Sequence, residues 1–213
     1  MSSSQVTKIA EADFPTRWGH FRILGFEGYF PEATTDPAPA GIDRRKESAV
    51  VLVMGDIHST PPLVRIHSQC LTGDVFGSLR CDCRQQLELA LQSIAKSGTG
   101  VLIYEQQEGR GIGLMPKLQA YELQDQGLDT IEANEKLGFK SDCREYNLPV
   151  EILKALELKQ IRLLSNNPEK VAAVERAGIK VVERVSAEVE PSEHAQRYLD
   201  TKRAKMGHLF TVK

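Results

Sequence analysis

Three of the four cysteines in this chain fall inside CLTGDVFGSLRCDC, residues 70–83. A zinc ion takes thiolate, imidazole or carboxylate ligands in a tetrahedron. Three protein ligands leave a fourth position for an activated water, whereas four close the site into a structural clasp. Cys81 and Cys83 lie two apart, so a turn aims both sulfurs at one ion where a strand would splay them, and Cys70 arrives from the other side of a ten-residue loop. Clustered cysteines in a chain with no secretory signal read as metal or redox groups before they read as disulfides. Charged Asp74, Arg80, Asp82 and Arg84 around them argue against plain buried hydrophobes. The spacing predicts a metal site at Cys70, Cys81 and Cys83, open and catalytic with these three ligands, or closed if Cys143 or His67 joins as a fourth.

Anion-binding groups flank this stretch. RIHSQC brings Arg65, His67 and Ser68 immediately ahead of Cys70. A guanidinium grips phosphate with two parallel hydrogen bonds and a hydroxyl adds a donor, although without the cysteine these residues would read as an edge strand with a solvated Arg. QQEGRGIG is a glycine-rich loop of the kind whose backbone N–H groups approach phosphates. It matches neither the Walker pattern nor the dinucleotide fingerprint, and Arg110 in its middle strengthens the anion reading. In SNNPEK the Asn and Pro are explained as a helix cap and first-turn proline, while Ser165 and Lys170 remain as candidate ligands. SDCREY puts Asp142 and Arg144 two apart, on one side of an extended segment. They are a surface ion pair of little weight unless the fold brings them to the pocket.

These residues need a scaffold. Apolar clustering predicts strands at 17–25, 49–55, 62–67 and 100–104, and helices at 84–98 and 114–126, stopped by Gly98 and Gly127. Pro116 fits only in the first turn of the second helix. Strand 160–164, a helix opening at Asn167–Pro168 and ending at Gly178, and strand 179–185 form a C-terminal βαβ unit. The expected architecture is a single α/β domain over residues 1–213, a mixed β-sheet packed with helices. Residues 1–14 are expected as a flexible N-terminus, and the proline-rich residues 31–46 as a surface insertion loop.

Composition sets bounds. With 213 residues, 41 % hydrophobic and 26 % charged, the chain can bury an ordinary core. A formal net charge of −2 speaks against a nucleic-acid or membrane-surface protein. No signal-peptide core and no apolar run of membrane-span length is present, which leads to the expectation of a soluble cytoplasmic protein.

Taken together, RIHSQCLTGDVFGSLRCDC, QQEGRGIGLMPKLQAYELQDQGLDTIEANEKLGF, DCREY, LLSNNPEK and, near the end, YLDTKRAKMGH closely resemble the GTP cyclohydrolase II family of riboflavin biosynthesis, over about residues 15–210. The chain looks like the stand-alone form, without the dihydroxybutanone-phosphate synthase domain fused ahead of it in some organisms. The resemblance implies a zinc enzyme that converts GTP to a diaminopyrimidinone ribosylamino phosphate, formate and pyrophosphate, with Mg²⁺ on the triphosphate and a homodimeric assembly. By the same resemblance Cys70, Cys81 and Cys83 are the zinc ligands. Arg65, Ile66, His67, Ser68, Gln69, Gln86, Glu108, Gly109, Arg110, Thr130, Ser165 and Lys170 match GTP-contacting positions. Asp142 matches the proton acceptor, Arg144 the residue proposed as nucleophile toward the α-phosphate, and Tyr121 a tyrosine near the purine implicated in ring opening. Glu108 is expected to read the guanine N1–H and 2-amino group, so Glu108→Gln is expected to weaken GTP use more than zinc content. Gln69, Cys143, Glu145 and Ser165 depart from frequent family residues without removing an assigned catalytic group. Two other readings are a relative that stops at the formylamino intermediate and a non-catalytic nucleotide-binding zinc module.

Overall fold

The computed structural model describes residues 6–31, 44–140 and 142–189. Seven strands, β1 (Val6–Thr16), β2 (Gly19–Pro31), β3 (Arg44–Met54), β4 (Leu63–Ser68), β5 (Gly100–Glu105), β6 (Gln160–Leu164) and β7 (Lys180–Val185), form one sheet in the order β1-β2-β3-β5-β4-β6-β7. β1, β2, β3 and β5 pair antiparallel, whereas β5, β4, β6 and β7 pair parallel. The sheet is therefore mixed, as expected. Its parallel half is built from crossovers, since only a long connection returns a chain to a parallel neighbour. Helix α1 (Cys83–Ser97) links β4 to β5, and α5 (Pro168–Arg176) links β6 to β7 as the expected C-terminal βαβ unit.

Residues 63–67 of β4 and 100–103 of β5 are buried, the near-continuous burial of strands covered on both faces. One face packs Phe21, Leu63, Leu102 and Leu164 against Ala90, Leu91 and Ile94 of α1. The other packs Val51, Val64, Ile66, Ile103 and Leu163 against α4 (Asn147–Ala155), through Leu148, Ile152 and Leu153, and against Val174 of α5. Helices α2 (Leu114–Asp125) and α3 (Thr130–Lys136) stand beside the sheet and contact each other. No helix among the described residues is long and apolar enough to cross a membrane.

The N-terminal half differs from expectation. Instead of a flexible segment through residue 14, Val6–Thr16 is hydrogen-bonded to β2 from Val6↔Gly28 to Thr16↔Gly19. Nearly all of β1 is exposed, so it lacks the half-buried alternation by which a strand is recognised. The ribbon also lengthens its partners, with β2 reaching Pro31 and β3 starting at Arg44. The expected 31–46 insertion is thus strand at both ends, and its residues 32–43 lie outside the described residues, as do residues 190–213, including YLDTKRAKMGH.

Candidate active site

The parallel pairing ends β4 at Ser68 beside Glu105, the end of β5, and the functional segments leave from these carboxyl ends, where open α/β sheets hold their ligands. From β4 the chain runs through Gln69 into Cys70 and one wide π-type turn, Leu71–Val75. From β5 it enters Glu108–Gly111, where Gly109 and Arg110 both take left-handed backbone conformations, φ 62° and 60°. An arginine in that region is strained.

Cys70, Cys81 and Cys83 place their sulfurs within 4.8 Å of one another, with Cys70 Sγ 3.7 Å from Cys81 Sγ. Among the described residues it is the only such group able to hold a metal ion. A Cβ on Gly73 would lie 2.9 Å from Cys81 Sγ and 3.1 Å from Cys70 Sγ, so only glycine leaves the three sulfurs this close to the turn. The turn is fixed by Asp74, whose carboxylate accepts from the Cys70 backbone N–H at 3.0 Å and from Tyr104 Oη at 2.8 Å and pairs with His67 Nε2. Cys83 opens α1, with Asp82 as its cap residue. Hydrogen bonds from the Cys81 and Cys83 thiols, with Lys117 nearby, hold the Cys70 thiol far below its usual range. Sharing that charge with Cys70 pushes the Cys81 thiol up to about 11 and Cys83 upward too. Three closely set thiols, one of them strongly acidified, form a donor set that fits a thiophilic divalent ion, which would displace their protons on binding. Neither Cys143, exposed and directed at the Lys140 carbonyl, nor His67, engaged by Asp74, belongs to the group, so the described residues assemble no closed four-ligand site.

A cleft opens over the sulfurs. Its lining brings together Ser68, Gln69, Glu108, Gly109, Arg110, Tyr121, Thr130 and Arg144 from the expected set, and adds Arg80 and Lys117. Tyr121 Oη meets Thr72 Oγ1 at 3.2 Å, and burial raises the phenol's pKa. Glu108 is committed within the protein: Oε2 accepts the Leu71 N–H at 2.6 Å, and Oε1 accepts Lys117 Nζ at 2.6 Å. Thr130 begins α3, held there by a capping box in which Asp129 accepts from Ile131 and Glu132 N–H while Glu132 accepts from Asp129 N–H.

Asp142 and Arg144 reach the site through the glycine turn. Cys143 N–H donates to the Arg110 carbonyl at 3.0 Å, and a Cβ on Gly111 (φ 89°) would lie 2.8 Å from the Cys143 oxygen. The Gln107 amide grips the Glu145 backbone. Arg144 clasps Asp142 with Nε and Nη2. Burial opposes the Asp142 charge, but Arg144 holds its carboxyl below the usual range. Arg144 lines the cysteine cleft, while Asp142 faces a second hollow between α4 and α5 that Arg144 also borders.

The remaining expected residues lie beneath the cleft and do not line it. Ile66 is core, 1 % exposed. Arg65 donates to the Leu164 carbonyl at 3.0 Å and to Gln86 Oε1 at 2.6 Å; Gln86 in turn donates to Asp82 at 2.6 Å, tethering the residue between two of the cysteines. His67 stacks on Tyr104. Ser165 accepts from the Asn167 N–H that begins α5, and buried Lys170 donates to the Ile66 carbonyl at 2.9 Å. Burial, with the Arg144 and Arg65 cations close by, drives the Lys170 ammonium well below its usual range. The carboxylates of Glu105 and Asp142 oppose this shift without cancelling it.

Sequence reading took Asp74 only as one of the charges around the cysteines, without its role in the turn, and missed Lys117. Lys117 lies one helical turn before Tyr121, which marks a shared face; Asp74 offers no such signal.

The profile of the GTP cyclohydrolase II family matches residues 7–186. A GTP cyclohydrolase-2 of Enterobacter sp. (strain 638) is 50 % identical over 97 % of this chain and 99 % of its own length. That of Histophilus somni (strain 2336) is 52 % identical over 97 % of this chain and 90 % of its own. The Riboflavin biosynthesis protein RibBA of Chlorobium phaeovibrioides is 48 % identical over 98 % of this chain, which spans about half that protein's length. With the three-cysteine cleft and the glycine turn in place, this coverage identifies the chain as a member of the GTP cyclohydrolase II family.

Proposed function

We propose that the chain hydrolyses GTP to 2,5-diamino-6-(5-phosphoribosylamino)pyrimidin-4(3H)-one, formate and pyrophosphate, the first step of riboflavin biosynthesis, acting in the cytoplasm as a homodimer with Mg²⁺ on the triphosphate. The carrying observation is the trio of sulfurs within 4.8 Å of one another in a cleft that Tyr121, Arg110 and Arg144 share. The three thiolates would hold Zn²⁺, which when bound acidifies water toward neutrality, the chemistry that opening a purine ring at C8 requires.

The protein's own groups supply the rest. The Tyr121 phenol stays protonated at neutral pH and serves as a donor to a ring nitrogen during opening. Asp142 stays ionised and is the proton acceptor. The two-pronged bond to Asp142 keeps Arg144 cationic, and a guanidinium in that state is a poor nucleophile. Its role in this reading is fixed charge at the α-phosphate. Arg110, with Lys170 and Ser165 behind the cleft, provides charge and donors for the leaving pyrophosphate. An incoming triphosphate would favour the charged form of Lys170 against the burial that opposes it.

Incubating the zinc-loaded protein with GTP and Mg²⁺ and quantifying both small products tests the reading. Formate and pyrophosphate in equal amounts are expected. Pyrophosphate without formate would cut the reading back to an incomplete reaction, and neither product from protein that holds zinc would overturn it.

A further inference from the structure

We propose that Lys117, which none of the roles above uses, is a positioning residue of the metal centre: an ammonium latch that ties the metal-holding turn to the glycine turn and sets how firmly the metal is kept. The inference rests on the reading that the three cysteines hold zinc. Lys117 lies in the first turn of α2, its side chain 12 % exposed. Its Nζ is 3.1 Å from Cys70 Sγ, 2.9 Å from Thr72 Oγ1 and 2.6 Å from Glu108 Oε1. An ammonium has three N–H donors and no acceptor, and here all three have partners inside the protein. No donor is left over for a substrate phosphate, so the geometry assigns the group to the scaffold.

The latch closes a circuit. Lys117 joins Cys70 to Glu108, and the other oxygen of Glu108 accepts the N–H of Leu71, the residue after Cys70. Two segments that leave different strands are thereby pinned at the first metal ligand. The charges fit as well. Three thiolates around a divalent cation carry a net −1, Glu108 adds another negative charge, and Lys117 lies within hydrogen-bond reach of both. A partner that orients a ligand and balances its charge raises metal affinity, and losing one costs about 10- to 100-fold.

Zinc release to a chromophoric chelator, measured on the parent, Lys117→Met and Lys117→Arg, reads the proposal directly, with the thiolate-to-metal absorption of the Co²⁺-substituted proteins as a second readout. Lys117→Met is expected to bind zinc at least about tenfold more weakly and to shift the cobalt band. Lys117→Arg, which keeps the charge, is expected to recover part of that loss. Unchanged release, within twofold, together with an unshifted cobalt band in Lys117→Met would overturn it. Should Lys117→Met not fold, Glu108→Gln breaks the same latch from its other end and is read with the same two outcomes. A parent that binds no zinc at all would overturn the proposed function and this inference together. A parent with one zinc and a Lys117→Met variant indistinguishable from it would overturn only the latch.

Discussion

Replacing Gly73 by alanine puts a methyl carbon 2.9 Å from Cys81 Sγ and 3.1 Å from Cys70 Sγ, closer than side-chain carbons tolerate. Because the clash is with the donors themselves, Gly73→Ala is expected to lower zinc affinity by an order of magnitude or more while leaving the far-ultraviolet circular dichroism unchanged. A variant that keeps parental zinc affinity would show that the turn has slack. At this scale the sequence was most informative about residues whose chemistry is intrinsic. Cys70, Cys81 and Cys83 announce themselves by type and spacing. Asp74 and Lys117 do not, because their roles exist only through contacts made across the fold, from 3.0 Å to the Cys70 backbone N–H and 3.1 Å to its sulfur. Glu108 shows the same limit. Its type suggested a purine reader, yet both oxygens hold protein partners, so Glu108→Gln is expected to loosen zinc as well as to weaken GTP use.

Elements place these residues, and α3 is the clearest case. Its seven residues could not persist alone, and the capping box at Asp129 and Glu132 fixes where it begins. Asp129→Ala is expected to cost about 1 kcal/mol in denaturant unfolding. It is also expected to raise the KM for GTP more than it lowers kcat, since Thr130 at the head of α3 lines the cleft. An unchanged KM would detach Thr130 from substrate. The D-T-I-E signature of that box was readable in the sequence but went unread, as did the amphipathic run of α4, whose Leu148, Ile152 and Leu153 all turn inward. By contrast β4, β5, α1 and the βαβ unit of β6, α5 and β7 were legible, because each combines an apolar run with a glycine or proline boundary. β1 was not, since an exposed edge ribbon is held by backbone pairing and leaves no hydrophobic pattern to find.

For the whole molecule, the Asp142–Arg144 clasp links acid stability to the site. Arg144 lowers the Asp142 pKa in the folded state, below the ordinary 3.8. The contribution is therefore fully present above the unfolded value and is lost as pH falls through the lower folded one. Asp142→Asn is expected to be less stable than the parent at neutral pH, with the difference shrinking below about pH 4; a gap that persists undiminished into stronger acid would show that the charge is not its source. The mixed sheet makes the coupling possible. Its parallel half ends β4 and β5 side by side, so the cysteine turn, the glycine turn and Arg144 converge on one cleft. The measurement that bears most directly on the account is a zinc titration of chelator-stripped protein, with formate release from GTP followed at each addition. The account predicts no formate without zinc, then a linear rise that breaks at one equivalent per chain and is absent in Cys83→Ser. Full formate release from protein that holds no zinc would contradict it.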